Sequence, residues 1–80
     1  MPRYFFDVQD GYPTKDDYGT VLDGSEAIAA TAIRTLFEIG QLEATRNAGR
    51  EFLITVRDEA GTKVYRAELT VRAEWLTKVA

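Results

Sequence analysis

The chain of 80 residues contains no cysteine and no histidine. Without cysteine it forms no disulfide and no thiolate site. Without histidine it lacks the commonest general base and the commonest metal ligand. The one serine, Ser25, therefore has no partner of the kind that activates a nucleophile. These absences predict a protein that is not an enzyme and that holds no cofactor.

Long hydrophobic runs are also missing, since no apolar stretch approaches the length of about 18 residues that indicates a membrane span. The opening residues Met-Pro-Arg lead directly into a strand-like pattern and lack the apolar core of a signal peptide. We therefore predict a cytoplasmic protein without a membrane partner. Its length predicts a single domain over residues 1–80. A chain this short buries only about 60% of its unfolded surface, so association with a second copy is a route to further burial.

The net charge of -3 is confined to the first part of the chain. Residues 1–24 hold two basic residues against five aspartates, whereas residues 25–50 and 51–80 are each balanced. A protein that binds nucleic acid through its phosphates needs clustered lysine and arginine. The charge pattern therefore argues against nucleic acid as the main partner.

Apolar residues that alternate with polar ones predict three longer strands. The first strand covers residues 3–8 and ends at the turn signal Asp10-Gly11. The next covers residues 52–57, and a hairpin turn at residues 58–61 leads into the last strand, which the alternation extends over residues 65–75.

Between the first two of these strands, residues 12–18 are predicted to form a polar loop, and residues 19–22 a short strand antiparallel to the first. Asp23 and Glu26 have the spacing of a capping box, which predicts the start of a helix that ends near Arg46. The predicted apolar stripe of that helix consists of Ala29, Ala32, Ile33, Leu36, Phe37 and Gly40. The glycine on the stripe predicts a close approach of the helix to the sheet.

Together these elements predict an α+β fold, a small antiparallel sheet of three to four strands with one helix packed on one face. The order is ββαββ, or βαββ if residues 19–22 do not pair. The helix is predicted to cover the sheet face formed by Tyr4, Phe6, Val8, Phe52, Ile54, Val56, Leu69 and Val71. The opposite face is mostly polar and can lie in water, with Phe5 and Leu53 as its two apolar residues.

Several segments of the chain carry a resemblance to a known family. They are Met1-Pro2-Arg3-Tyr4-Phe5-Phe6, Asp10-Gly11, Asp17-Tyr18-Gly19, an alanine-rich helix after Asp23, and Val56-Arg57-Asp58-Glu59-Ala60-Gly61. In these the chain resembles an uncharacterised family of short bacterial proteins, a domain of unknown function whose members open Met-Pro-Arg-Tyr-(Phe/Tyr)-Phe. The resemblance covers nearly the whole chain and implies the same small α+β fold, but no activity. Many members have a histidine where this chain has Asp7; if that histidine serves a function, this protein has lost the function or does without the histidine.

Four aspartates, Asp10, Asp16, Asp17 and Asp23, are candidate ligands for a hard cation such as calcium. Their spacing matches no EF-hand loop, and turn and helix-cap roles explain the first and the last of them without a metal. We therefore assign no metal site. A ligand or metal sensor that acts through the acidic loop 10–23 is kept as an alternative function.

A second alternative is a small nucleic-acid-associated regulator of the antitoxin type. The arginines predicted on the open sheet face are Arg3, Arg57, Arg66 and Arg72. Phe5 would supply a ring for base stacking. Asp7 and Glu68 on the same face cancel much of the positive charge, so cross-strand ion pairs are the favoured interpretation.

The leading hypothesis is a non-catalytic cytoplasmic interaction domain that self-associates, as a homodimer, with an unidentified protein as a further candidate partner. One helix covers about 10 Å of a sheet whose strands lie about 4.8 Å apart, so part of the sheet stays uncovered. The candidate interface residues are Phe5, Leu53, Arg57, Arg66 and Trp75.

Overall fold

The computed structural model describes residues 2–43 and 50–79 of the chain. Its elements in chain order are β1 (Arg3–Gln9), β2 (Pro13–Thr14), β3 (Thr20–Val21), α1 (Ser25–Glu43), β4 (Glu51–Arg57) and β5 (Lys63–Thr70). One helix on a small antiparallel sheet confirms the predicted α+β class. The sheet has five strands, because the segment 12–18 that was predicted to be a loop contains β2.

All strand pairs are antiparallel, and four strands follow the order β2-β1-β4-β5. The remaining strand, β3, pairs with the beginning of β1, with Tyr4 opposite Thr20. This pairing confirms the short strand predicted at residues 19–22. The turn predicted at 58–61 is also present, since the Gly61 N–H donates to the Asp58 carbonyl oxygen over 3.0 Å. The strands β2 and β3 thus share one edge of the sheet, and β5 forms the other.

The core lies between the helix and β4. Phe52, Ile54 and Val56 alternate along that strand and are fully buried, because successive side chains of a strand point to opposite faces. Each such burial contributes about 1.5–3 kcal/mol. Around them pack the half-buried apolar residues of the neighbouring strands, Tyr4, Phe6, Val8, Tyr65, Ala67, Leu69 and Val71. The predicted helix-covered face is therefore confirmed.

The predicted apolar stripe of the helix is wrong at two positions. Ile33 is 43% exposed and Phe37 is 61% exposed. The buried row consists of Ile28, Ala32, Leu36 and Gly40, which follow one another at intervals of four residues. The helix is rolled because Gly40 is the point of close approach: a Cβ atom there would lie 2.7 Å from the Leu69 Cδ2 atom of β5. The predicted role of that glycine is confirmed.

The helix begins without the predicted side-chain cap. Its first hydrogen bond runs from the Ile28 N–H to the Gly24 carbonyl oxygen over 3.2 Å. Gly24 has a φ of 103°, which glycine adopts readily. In the part of the chain that the structure describes, the carboxylates of Asp23 and Glu26 accept no hydrogen bond. The predicted helix end near Arg46 lies outside the described residues.

The last strand ends five residues earlier than predicted. Thr70 is the last residue of β5 and lies opposite Glu51, the first residue of β4. The Val71 N–H still donates to the Arg50 carbonyl oxygen over 3.0 Å. Since Glu51 is the first residue of β4, the paired length of that strand ends opposite Thr70. Trp75 was predicted to continue the strand, but it lies beyond it and is 83% exposed.

Candidate functional site

The edge of β1 that faces away from β4 is split between two short strands. β3 pairs with Arg3 and Tyr4, whereas β2 pairs with Val8 and Gln9. Between these pairs the Phe6 N–H has no strand to bind. It donates instead to the Asp16 carboxylate, at 3.0 Å from Oδ2. A side-chain carboxylate therefore fills a gap in the backbone hydrogen-bond ladder, and the partly buried donor is satisfied.

The same carboxylate shapes the loop that carries it. Asp16 Oδ1 accepts hydrogen bonds from the N–H groups of Tyr18 and Gly19, each over 3.0 Å, which is the pattern by which aspartate stabilises turns. Gly19 has a φ of 74°, and a Cβ atom there would lie 2.9 Å from the Phe5 ring. The loop consequently lies against the helix-free face of the sheet, next to Phe5.

Arg57 closes this arrangement from the neighbouring strand. Its Nε donates to Asp7 Oδ2 over 2.8 Å, and its Nη2 donates to the Asp16 carbonyl oxygen over 2.7 Å. The guanidinium carbon lies 4.6 Å from the centre of the Phe5 ring, within the range of a cation–π contact. We call Asp7, Asp16 and Arg57 the polar latch, because they tie the loop to two strands of the sheet.

Hydrogen bonds keep both acids of the polar latch ionised. Burial by itself would raise the pKa of Asp7, but hydrogen bonds from Arg57 and from the Asp16 N–H outweigh it, so that the pKa lies below its usual 3.8. The pKa of Asp16 is also lowered from 3.8, because three backbone N–H groups outweigh burial. The hydrogen bond to Asp7 in turn raises the pKa of Arg57. The latch is therefore fully charged at neutral pH.

The structure does not gather the four aspartates that were candidate metal ligands. Within the described residues, no group of three or more acidic side chains is placed to hold a metal ion. Asp16 instead binds backbone N–H groups, and the Asp10 carbonyl oxygen accepts a hydrogen bond from Arg50 Nη2. Of the four carboxylates, the geometry thus gives that of Asp16 a structural role in the loop.

A groove of about 260 Å³ lies beside the latch on the helix-free face. Its lining includes Leu53 and Thr55 of β4, Asp7 of β1, and Pro13 and Lys15 from the segment that contains β2. Leu53 is half-buried in this groove rather than projecting from the sheet. The groove combines apolar and polar side chains, as ligand-contact surfaces commonly do.

The five predicted interface residues are divided among four places. Phe5 and Arg57 contact each other within the region of the latch, and Leu53 lies in the groove. Arg66 is exposed on β5, and Trp75 lies beyond the end of that strand. The predicted pair of apolar residues on the open face therefore does not form one exposed patch, because Arg57 covers the Phe5 ring.

The outer edge of β5 is a surface that the structure leaves open. Among the described residues this strand pairs with β4 alone. The pairing register shifts at Val64, between Lys63 and Tyr65. Because the Val71 N–H points to β4, the odd-numbered residues from Tyr65 onward hydrogen-bond to β4, and the amide groups of Arg66, Glu68 and Thr70 point outward. We call this the open edge. It presents a row of unpaired donors and acceptors of the kind that templates strand pairing.

Beside the open edge lies an exposed apolar part of the helix, Ile33 and Phe37, which we call the helix flank. A helix turns by about 100° per residue, so both side chains lie further round than Gly40, on the side remote from Ile28. Since Gly40 contacts β5, the helix flank lies above the open edge. The sequence interpretation placed it in the core. The apolar residues from Ile28 to Phe37 cover an arc of about 180° around the helix axis, which is wider than the stripe that one contact surface buries. That width is the sequence signal that part of the arc stays exposed.

No helix within the described ranges is long and apolar enough to cross a bilayer.

Residues 3–70 match a family model described as a domain of unknown function (DUF6894). The match confirms the resemblance to an uncharacterised family. It runs from the first residue of β1 to the last residue of β5, so it includes the polar latch and the open edge and ends before Trp75. Searches of the curated proteins and of the solved structures each found no match.

Proposed function

The chain belongs to the family of domains of unknown function DUF6894, and we propose that it is a non-catalytic interaction domain that associates with a second copy of itself. The observation that carries the proposal is the juxtaposition of the open edge of β5 with the helix flank. An unpaired strand edge and an adjacent apolar surface are the two parts of an interface that extends a sheet.

The backbone of β5 supports this proposal. The register of β5 shifts at Val64, and residues 65–70 form its regular free edge. A free strand edge invites pairing with another strand, and monomeric proteins usually shorten, bulge or cover such an edge. The other edge of this sheet is covered in that way, since two short strands and the Asp16 carboxylate occupy it. The difference between the two edges indicates that β5 is the edge available for a partner.

The helix flank supplies the apolar part. Phe37 is 61% exposed and Ile33 is 43% exposed, although a chain of 80 residues has little apolar surface to spare. Burying a large apolar side chain contributes about 1.5–3 kcal/mol. A second copy is the partner proposed, because two-fold association presents the same edge and the same flank to each other.

The proposal is tested by light scattering after size exclusion over a range of concentrations. We expect a dimer for the unaltered chain and a monomer for Phe37→Glu, since that change buries a charge in the interface. Leu42→Glu is the matched control, because Leu42 is 73% exposed on the other side of the helix. It should remain a dimer. A monomer of the unaltered chain at high micromolar concentration would contradict self-association.

The proposal has two further parts. It keeps the cytoplasmic location predicted from the sequence, which fractionation of the native cell with an antibody against the chain would test. It assigns no nucleic-acid partner, because the net charge is -3 and Asp7 already binds Arg57. Fluorescence anisotropy with mixed-sequence RNA and DNA at low salt should show no saturable binding, and salt-sensitive micromolar binding would overturn this part.

A further inference from the structure

Resting on the proposed self-association, we infer a specific register for the dimer: β5 strands of two copies pair antiparallel around a two-fold axis at Ala67. In this register Arg66 of each copy lies opposite Glu68 of the other. The two five-stranded sheets become one continuous sheet, with both helices on the same side of it.

The side-chain directions of β5 restrict the choice of axis. Directly opposite residues of antiparallel strands point to the same face of the sheet. Two identical strands related by a two-fold axis meet this condition only if the axis passes through a residue position, because an axis between two residues would place side chains of opposite faces against each other. Tyr65, Ala67 and Leu69 point toward the helix, whereas Arg66 and Glu68 point to the other face. Each choice of axis therefore fixes which charges meet.

Charge selects among the remaining registers. An axis at Arg66 places two arginines opposite each other, and an axis at Glu68 does the same with two glutamates. Like charges directly opposite destabilise a strand pair, whereas opposite charges stabilise it. An axis at Ala67 gives two Arg66–Glu68 pairs, one on each side of the axis. It also places Tyr65 opposite Leu69 on the helix side.

The open backbone groups agree with the same register. The amide groups of Arg66 and Glu68 point outward from β5, so these two residues exchange hydrogen bonds with their opposites in the second copy. Ala67 then forms a pair without hydrogen bonds, in which the two Cα atoms lie about 4.5 Å apart. The smallest side chain of β5 is thus at the closest contact between copies.

The spacing of the helices fits as well. The helix contacts both β4 and β5. If each helix axis lies midway over β4 and β5, it is about 2.4 Å from the line of β5, half of the strand spacing of about 4.8 Å. The two β5 strands of the dimer are also about 4.8 Å apart, so the two helix axes lie about 10 Å apart. Helices pack at about 8–10 Å, so the two helix flanks meet in the dimer. The contact is small, on the order of 1,200 Å² in total, at the lower end of specific interfaces.

Single cysteines test the register directly, because the natural chain contains none. Arg66→Cys, Ala67→Cys and Glu68→Cys would each be oxidised, and the fraction of covalent dimer would be measured on a denaturing gel. Disulfides require Cα atoms about 4.4–6.8 Å apart, which the inferred register provides only at position 67. Ala30→Cys, on the exposed side of the helix, is the control for non-specific oxidation. It should remain largely monomeric on the gel.

Charge reversal gives a second measurement. Arg66→Glu and Glu68→Arg alone should each weaken dimerisation roughly five- to thirtyfold, because each change affects two symmetric pairs. The double variant should return to within about twofold of the unaltered chain. Strongest crosslinking at position 66 or 68, or no effect of either charge reversal on a chain that still dimerises, would overturn the register alone. An unaltered chain that stays monomeric would overturn both the register and the self-association.

Discussion

Replacing Asp16 by alanine should destabilise the fold far more than its position in a polar loop indicates. The change removes the acceptor of three backbone N–H groups at once. The Phe6 N–H would then face a partly buried gap, at a cost of about 1–3 kcal/mol, and the two turn hydrogen bonds add about 0.5–1 kcal/mol each. We expect a loss of about 2–5 kcal/mol. A domain of 80 residues has a total stability of about 4–12 kcal/mol.

Two further variants separate the parts of this effect. Asp16→Asn keeps one acceptor oxygen for the turn but presents an NH₂ group in place of the second oxygen, so it should lose about half as much stability. Asp17→Ala is the matched control. In the part of the chain that the structure describes, its exposed carboxylate accepts no hydrogen bond. It should change stability by less than about 0.5 kcal/mol.

Urea unfolding followed by far-ultraviolet circular dichroism measures these differences. All variants must be compared at one protein concentration, because dimerisation adds stability by mass action. The m-value should stay constant, which indicates that the surface exposed on unfolding is unchanged. Equal midpoints for Asp16→Ala and Asp17→Ala would show that the carboxylate does not hold the split edge together.

Because the folded pKa values of Asp7 and Asp16 are lowered from 3.8, their contribution to stability is present above that pH and is lost as the pH falls below it; urea midpoints that do not change between pH 5 and 2 would contradict this. Gly40→Leu should cost about 1–3 kcal/mol by overpacking against β5, whereas the exposed Gln41→Leu should change the urea midpoint little. Trp75, the one tryptophan, should emit near the wavelength of free tryptophan and be quenched readily by iodide, and a blue-shifted emission would show that its segment is covered.

The polar latch explains how so small a sheet keeps a long, acidic loop in place. Asp7 and Arg57 lie on neighbouring strands, and Asp16 adds both a carboxylate and a carbonyl oxygen from the loop. The three residues hydrogen-bond to one another, so Arg57 compensates part of the negative charge of residues 1–24 within the fold. Loops held on a rigid scaffold are common places for binding, and the groove beside Leu53 lies next to this one.

The sequence by itself determined the elements whose signals are local. Alternation along β1, β4 and β5 assigned Phe6, Ile54 and Leu69 to the helix side, because a strand has a period of two wherever it lies. The turn at 58–61 and the close approach at Gly40 were equally readable. Turn geometry and the absence of a Cβ atom are properties of single residues and their neighbours.

Only the tertiary structure decided where the pairing of two strands ends and which surfaces of the sheet and helix stay exposed. The alternating pattern continued to Trp75, yet β5 stops at Thr70 because β4 begins opposite it, and that limit belongs to a strand elsewhere in the chain. The roll of the helix left Phe37 outside, since the contact at Gly40 and the width of the sheet set which part of an apolar arc is covered. The place of Asp16 in the hydrogen-bond ladder of β1 also depends on the tertiary structure. A gap between two short strands exists only after both have paired with a third, and no local pattern records it.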